Sequence, residues 1–273
     1  MKNKERLDRL IVDRGLVETR SRAQGLILAG KVRVHGQPVT KAGTPVSLDS
    51  EVTVDEGRQW ASRGAYKLLG AFEAFEGLSA EGRVCADIGA STGGFTDVLL
   101  SRGAKRVFAV DVGYGQLLWR LASDPRVTVM DRTNARGLTA RDFDEPVDLA
   151  VCDASFISLR LLLSAIDAFL IPEPKGEAVA LIKPQFEAGR ERLARFGSKG
   201  VIRDPAVHAE ILSEATDFIA TETRLFVSGL VGSPIRGPEG NVEFLCRLTR
   251  QDRGFVITPD VIAGVVERAH RDL

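Results

Sequence analysis

Cysteine and histidine are both scarce in this chain, and the few present are dispersed. Cys85, Cys152 and Cys246 lie far apart inside apolar runs, with no Cys-x-x-Cys pair, and His35, His208 and His270 are equally scattered. A disulfide framework and a zinc site are both disfavoured, and buried reduced thiols in a cytoplasmic protein fit the pattern. A long apolar run is missing too. No stretch approaches the roughly 20 residues that span a bilayer, and no apolar segment follows the N-terminal charges as in a signal peptide. No membrane span is expected. Net charge is also absent, since 37 basic residues face 37 acidic ones. Total charge therefore says nothing about a nucleic-acid partner, but its distribution does. Between Met1 and Lys41, ten Lys/Arg meet four acids, a local excess of six. That segment calls for a partner of opposite sign.

At 273 residues the chain can hold one sizeable α/β core and a smaller module. In the first segment Leu7, Leu10, Ile11 and then Ala23, Leu26, Ile27 recur at helical spacing, which predicts two short amphipathic helices. Gly15 separates them, Thr19 is placed to cap the second, and Gly30 to stop it. Lys31–Val34 and Glu51–Val54 read as short strands, with a turn at His35-Gly36-Gln37. The expected organisation is a module over 1–57, a linker over 58–64 and a larger domain over 65–273.

In the larger domain strands and helices alternate. Strands are expected at 84–88, 106–110, 127–130, 147–152, 178–182, 225–231 and 242–248. Helices are expected at 65–76, 95–101, 159–169 and 205–220, with an amphipathic tail at 258–273. Such alternation predicts an α/β fold with a mostly parallel, doubly wound sheet. No helix of useful length separates the last two strands, so the final one should return antiparallel. Seven strands ending this way are the pattern of class I (Rossmann-like) methyltransferases.

Val84-Cys-Ala-Asp-Ile-Gly-Ala-Ser-Thr-Gly-Gly-Phe95 runs from strand through a glycine turn into a helix. Gly89, Gly93 and Gly94 would let backbone approach a ligand, but Ser91 stands where the dinucleotide fingerprint needs glycine. Asp87 would repel a pyrophosphate and attract an α-ammonium, while Asp111 ends the next strand where ribose hydroxyls are held. The set, with Phe95, points to S-adenosylmethionine. Thr133 and Asn134, after the third strand, suit an adenine contact or ordinary turn chemistry equally.

Four further segments converge on one crevice. Ser62-Arg-Gly-Ala-Tyr-Lys67 opens the first helix, Cys152-Asp-Ala-Ser-Phe156 ends the fourth strand, Leu181-Ile-Lys-Pro-Gln-Phe186 ends the fifth, and Gly240-Asn-Val-Glu-Phe-Leu245 opens the last. Ligands of doubly wound sheets bind outside the carboxyl ends of the strands. Asp153 and Lys183 should therefore face the same space, and a reversed last strand brings Glu243 to that edge.

Glu18 to Gly36 resembles the small RNA-binding domain of ribosomal-S-four type (the αL motif). That resemblance implies an α+β module whose Arg20, Arg22, Lys31, Arg33 and Lys41 meet RNA, chiefly at phosphates. Lys67, Asp153, Lys183 and Glu243 resemble the Lys-Asp-Lys-Glu tetrad of FtsJ-like ribose methyltransferases. With the N-terminal module and the ordered motifs, nearly the whole chain is similar to the TlyA family of ribosomal RNA methyltransferases. The linker departs slightly, with Arg58-Gln-Trp-Ala61 carrying alanine last where the family has valine.

The resemblance implies 2′-O-methylation of cytidine in ribosomal RNA of one or both subunits, with ribosomal RNA or ribosomal subunits as partner. A ribose hydroxyl is a weak nucleophile, so the enzyme must align the reactants and remove a proton. Lys183 is the candidate base; burial and the nearby Lys67 would favour its neutral form. Asp153 and Glu243 pull the other way, which suits them to orienting the two ammonium groups and balancing charge. Residues 187–203 carry Arg190, Arg192, Arg195, Lys199 and Arg203 around Phe196, a candidate loop for backbone contact and base stacking. A non-catalytic RNA-binding or ribosome-assembly factor, a haemolysin-like membrane-active protein and a base methyltransferase are the competing readings.

Overall fold

Short amphipathic turns and β-branched pairs carry the first part of the chain. The computed structural model describes residues 4–55, 59–172, 175–198 and 200–273, with the side chains of Arg190 and of residues 196–198 outside that description. Two compact units divide the chain between Gln59 and Trp60. The linker start expected at 57–58 lies outside the described residues.

In the first unit β1 (Lys4–Arg6) runs into α1 (Leu7–Asp13), and α2 (Arg20–Leu28) follows after Gly15. The Thr19 hydroxyl accepts the Arg22 N–H at 3.3 Å, capping α2. Strand β2 (Val32–Val34) is flanked by β3 (Gln37–Pro38) and, later in the chain, β5 (Val52–Val54), while β4 (Pro45–Ser47) pairs antiparallel with β1. His35 and Gly36 both take positive φ, 49° and 77°, and close the β2–β3 hairpin in two residues. Leu7, Ile11, Ala23, Ile27 and Val32 fill the core with no exposure. The β1–β4 pair was not foreseen. Each strand has three residues, and charges or proline hide the alternation that marks a half-buried strand.

The second unit is organised around a seven-stranded sheet. Its elements are α3 (Ala65–Ala74), β6 (Val84–Ile88), α4 (Gly94–Ser101), β7 (Arg106–Val110), α5 (Trp119–Ala122), β8 (Val127–Met130), β9 (Leu149–Cys152), α6 (Arg160–Phe169) and β10 (Glu177–Ile182). Then come α7 (Pro184–Glu187), α8 (Gly189–Phe196), the hairpin β11 (Gly197–Ser198) and β12 (Val201–Ile202), α9 (Pro205–Glu222), β13 (Phe226–Gly232), β14 (Phe244–Thr249) and α10 (Pro259–Asp272). The strand order is β13-β14-β10-β9-β6-β7-β8. All pairs are parallel except those of β14, which runs antiparallel to both β10 and β13. This is the expected class I pattern, including the reversed last strand.

Strands β6, β9, β10 and β14 are buried along their whole length, because helices cover both faces. Alternate residues feed two cores. Ala178, Ala180 and Ile182 join α6, α9 and α10 on one face; Val179 and Leu181 join α3 and α4 on the other. Chain direction reverses its march across the sheet between β6 and β9, the neighbours at its centre. Their carboxyl ends form the crevice where such folds take ligands.

Three local expectations shift. Val147 precedes β9, forming only an isolated bridge to Leu170. Helix α3 stops at Ala74, because Phe75 turns extended and buries its ring. The basic segment 187–203 is not a loop: it folds as α8 and a hairpin, helped by the Arg192–Glu214 ion pair at 2.6 Å.

Candidate active site

Four elements meet at the crevice, and each brings one charged side chain. Lys67 lies in the first turn of α3, Asp153 directly follows β9, Lys183 follows β10, and Glu243 immediately precedes β14. Parallel neighbours β9 and β10 put Asp153 and Lys183 side by side, and the antiparallel β14 returns Glu243 to the same edge. The Lys183 Nζ stands 2.6 Å from Asp153 Oδ1, and it donates to Ser155 Oγ at 2.9 Å and to the Asp153 carbonyl at 3.3 Å. Lys67 Nζ donates to both Asp153 oxygens, at 3.1 and 3.3 Å, and stands 2.7 Å from Glu243 Oε2. That last contact is an ion pair without hydrogen-bond direction. Glu243 has no exposed surface, and the Gln185 amide donates to its other oxygen at 3.2 Å. Two ammonium and two carboxyl groups thus form a chain, Lys183–Asp153–Lys67–Glu243, with only Asp153 appreciably open to the crevice. Charges removed from water this far persist only when paired in this way.

Two adjoining cavities, of about 290 and 390 Å³, share Gly89, Ser91, Asp153 and Ser155. The smaller reaches Lys67, Asp87 and Lys183; the larger reaches Asp111, Thr133 and Asn134. Asp87 is almost fully buried. Its Oδ2 accepts the Thr96 N–H at 2.8 Å and hydroxyl at 2.7 Å, whereas its Oδ1 has no partner. Burial pushes this carboxyl up to about 7, with Asp153 and Asp111 adding repulsion. A buried oxygen without a donor, at the wall of a cleft, is the mark of a site built for a cationic group. Asp111 already accepts the Ser91 N–H at 2.8 Å and the Gly113 N–H at 2.7 Å, so it shapes the turn and can still accept from a ligand. The Thr133 hydroxyl donates to the Asp131 carbonyl, and the Asn134 side chain caps a short 3₁₀ turn. A larger cavity, about 640 Å³, lies elsewhere, between Phe143, Phe169, Arg224 and Arg250, and contains none of these groups.

The glycines of the turn also permit close approaches within the protein itself, while Gly89 and Gly94 line the cavities. A Cβ at Gly93 would fall 2.3 Å from Leu121 Cδ1, and one at Gly94 would fall 2.3 Å from Ser62 Oγ. Gly89, at φ +83°, would bring a Cβ within 3.0 Å of the Ala154 backbone. Phe95 borders the smaller cavity, yet most of its ring packs into the α3–α4 core.

The RNA-contact candidates do not behave alike. Arg22, Arg33 and Lys41 are exposed, and Lys31 is exposed with Asp55 3.8 Å away. Arg33 also donates to the Gly36 carbonyl at 3.1 Å, bracing the hairpin. Arg20 is exposed too, and it also serves the fold: with Arg6 and Gln24 it surrounds the fully buried Asp8 at 2.9–3.1 Å, and these donors hold that carboxyl far below the ordinary range. Arg195 is exposed on α8, whereas the side chains of Arg190 and Phe196 lie outside the described residues. Asp8 itself was missed, because nothing in the sequence separates it from the three other acids of that segment. Ser155 and Gln185, which touch the charged chain, were also overlooked inside motifs quoted for other residues.

Comparison with known proteins follows the same outline. The FtsJ-like methyltransferase family matches residues 60–250, and the S4 domain matches residues 5–52. A 16S/23S rRNA (cytidine-2′-O)-methyltransferase, TlyA of Mycobacterium tuberculosis, is 48% identical over 93% of this chain and 94% of its own length. Hemolysin A of Brachyspira hyodysenteriae is 40% identical over 88% of this chain and 98% of its own. A solved structure from Streptococcus thermophilus superposes with a TM-score of 0.73 at 41% identity, covering all of this chain and 98% of that one. Among the described residues, no helix is long and apolar enough to cross a membrane.

Proposed function

The chain belongs to the TlyA family of S4-domain, FtsJ-like rRNA methyltransferases, and on that premise we propose that it methylates the 2′-hydroxyl of a cytidine in ribosomal RNA. The single observation that carries the assignment of roles is the buried charged chain Lys183–Asp153–Lys67–Glu243 at the carboxyl ends of β9 and β10.

S-adenosylmethionine, when bound, supplies a methyl group already activated by its sulfonium. The residues present fit it. The free Asp87 oxygen suits the α-ammonium, Asp111 the ribose hydroxyls, and Thr133 with Asn134 the adenine edge. Gly89 and Ser91 line the passage between the two cavities. Lys183, in its neutral amine form, takes up the ribose proton and becomes the ammonium that pairs with Asp153, while Asp153 and Ser155 fix the direction of its nitrogen. Lys67 holds Asp153 in place and is itself held by Glu243. General-base help of this type is worth about 10²–10⁴ in rate, and alignment of the two reactants contributes at least as much. The S4 unit, with Arg22, Lys31, Arg33 and Lys41, supplies phosphate contacts to the ribosomal RNA or subunit. Such a substrate places the reaction in the cytoplasm.

The test is labelled-methyl transfer from S-adenosylmethionine to separated ribosomal subunits, with wild type beside Lys183→Ala. Wild type should label ribose, as read by nucleoside mass analysis, and the variant should lose at least about 10²-fold in rate. Base rather than ribose label would refute the oxygen chemistry. Equal labelling by both proteins would remove Lys183 as the base. RNA binding without any transfer would favour the non-catalytic factor.

A further inference from the structure

The turn into helix α6 opens at Ser158, whose hydroxyl oxygen accepts the Arg160 N–H at 3.3 Å. Leu159, between them, contributes no side-chain hydrogen bond, and its own N–H needs an acceptor from elsewhere. Glu187, at the end of α7, supplies that acceptor from 28 residues away in sequence. Its Oε1 accepts the Leu159 N–H and its Oε2 accepts the Ser158 hydroxyl, both at 2.6 Å. Only 2% of the side chain is exposed, and the Arg160 guanidinium stands 3.9 Å off. An anion at a helix N-terminus is favoured by the helix dipole. Two short hydrogen bonds and burial make this one more than an incidental contact.

The segment so anchored is the one that carries Asp153 and Ser155. It is also under strain: Phe156 holds φ at +64°, a left-handed conformation uncommon for an aromatic residue, with its side chain 91% exposed. Something must hold that backbone in place. Residue 156 touches α7 through the Phe186 ring, 5.3 Å centroid to centroid, and the segment's far end is gripped by Glu187. Lys183 is the capping residue of that same α7. One helical turn therefore ties the amine of Lys183 to the loop that orients it, at Asp153 and Ser155 on one side and at Ser158 and Leu159 on the other.

We propose that Glu187 is a positioning residue for methyl transfer: by capping α6 from α7 it locks the 153–159 loop in register with Lys183. It touches none of the reacting atoms. Its effect passes through Asp153 and Ser155, so it should govern turnover rather than affinity. The inference rests on the methyltransferase reading above, and its test must separate the two.

Wild type, Glu187→Ala, Glu187→Gln and Ser158→Ala are compared for kcat and KM on ribosomal subunits, for S-adenosylmethionine affinity by calorimetry, and for backbone hydrogen exchange across residues 153–159. Glu187→Ala should lower kcat about 10–100-fold, with KM and cofactor affinity within about threefold. Exchange at the Leu159 amide should be accelerated. Glu187→Gln keeps one acceptor and should recover most of kcat; Ser158→Ala, which removes one of the two Glu187 bonds together with the acceptor of the Arg160 N–H, should fall between. Unchanged exchange at Leu159, a loss confined to KM or cofactor affinity, or a glutamine variant no better than alanine would overturn the proposal. Should wild type itself transfer no methyl, the enzymatic reading falls and the exchange data decide the lock alone. Should Glu187→Ala fail to fold, the Glu187→Gln and Ser158→Ala comparison stands in its place.

Discussion

At the scale of single residues, the chain of four charges makes unequal demands on its members. Glu243 is wholly buried and meets one cation, Lys67, whereas Asp153 meets two. Lys67→Met should therefore destabilise the second unit by about 3–5 kcal/mol as well as abolish methyl transfer, because it strands a buried acid. Chemical denaturation beside the transfer assay checks this, and adding Glu243→Gln should restore stability without restoring activity. Recovery of both would make Lys67 structural only. Sequence made these four residues legible because each sits in a distinctive motif at the end of a strand or the start of a helix. Asp8 and Arg20 show the opposite case. A side chain's use depends on which neighbour the fold brings to it, and the turn from α1 into α2 brings the half-exposed Arg20 against a buried acid. Asp8→Ala should accordingly cost the first unit about 2 kcal/mol or more, measured as a drop in the stability of that unit, whereas removing exposed Lys41 should cost almost nothing.

At the scale of elements, α9 and α10 are pinned by a pair of imidazoles. His208 Nδ1 and His270 Nε2 lie 2.9 Å apart, and the His208 ring meets Phe244 edge-on. One ring must donate and the other accept, so at least the accepting ring must be neutral, and the pair cannot hold when both are protonated. Burial first, and the neighbouring His270 second, push His208 down to about 4, while Asp204 pulls the other way; His270 is lowered too, by burial and Arg236. The unfolded chain takes up a proton near the ordinary histidine value, and the folded one resists until about 4. Stability is thus full above roughly pH 6.5 and is lost as pH falls through that window, by roughly 3 kcal/mol in all. The melting temperature should drop steadily between about pH 7 and 4.5, and His208→Gln should flatten the trend. A pH-independent melting temperature in wild type would contradict it. Nothing in sequence announced this pair, since two histidines in different helices meet only after both helices pack on the sheet. The helices themselves were legible from their period, and so were the central strands from their unbroken apolar runs. The three-residue β1 and β4 were not, because pairing rather than pattern defines them.

For the whole molecule, two units of different chemistry share one substrate, and their contributions separate by salt. Arg33→Ala with Lys41→Ala in the full chain should weaken rRNA binding. The slope of log affinity against log salt should shrink by about 0.7–0.9 for each phosphate left without its cation. Titrations between low and moderate salt read this directly, and an unchanged slope would exclude both residues. Class, strand number and the reversed last strand could be read from the alternation of elements, but the fold of residues 187–203 could not, since its ion pairs cross between elements. The reversed strand has a consequence for how the protein is made. β14 is the last strand in the chain, yet it sits between β10 and β13, which are both synthesised earlier. Until the stretch from Phe244 onward leaves the ribosome, those two neighbours each present a bare, largely apolar edge, and Glu243 has not yet settled against Lys67. The nascent chain is therefore inactive and prone to self-association until the final strand slots home, and chains cut short before it should be found with chaperones or in aggregates rather than as a weaker enzyme.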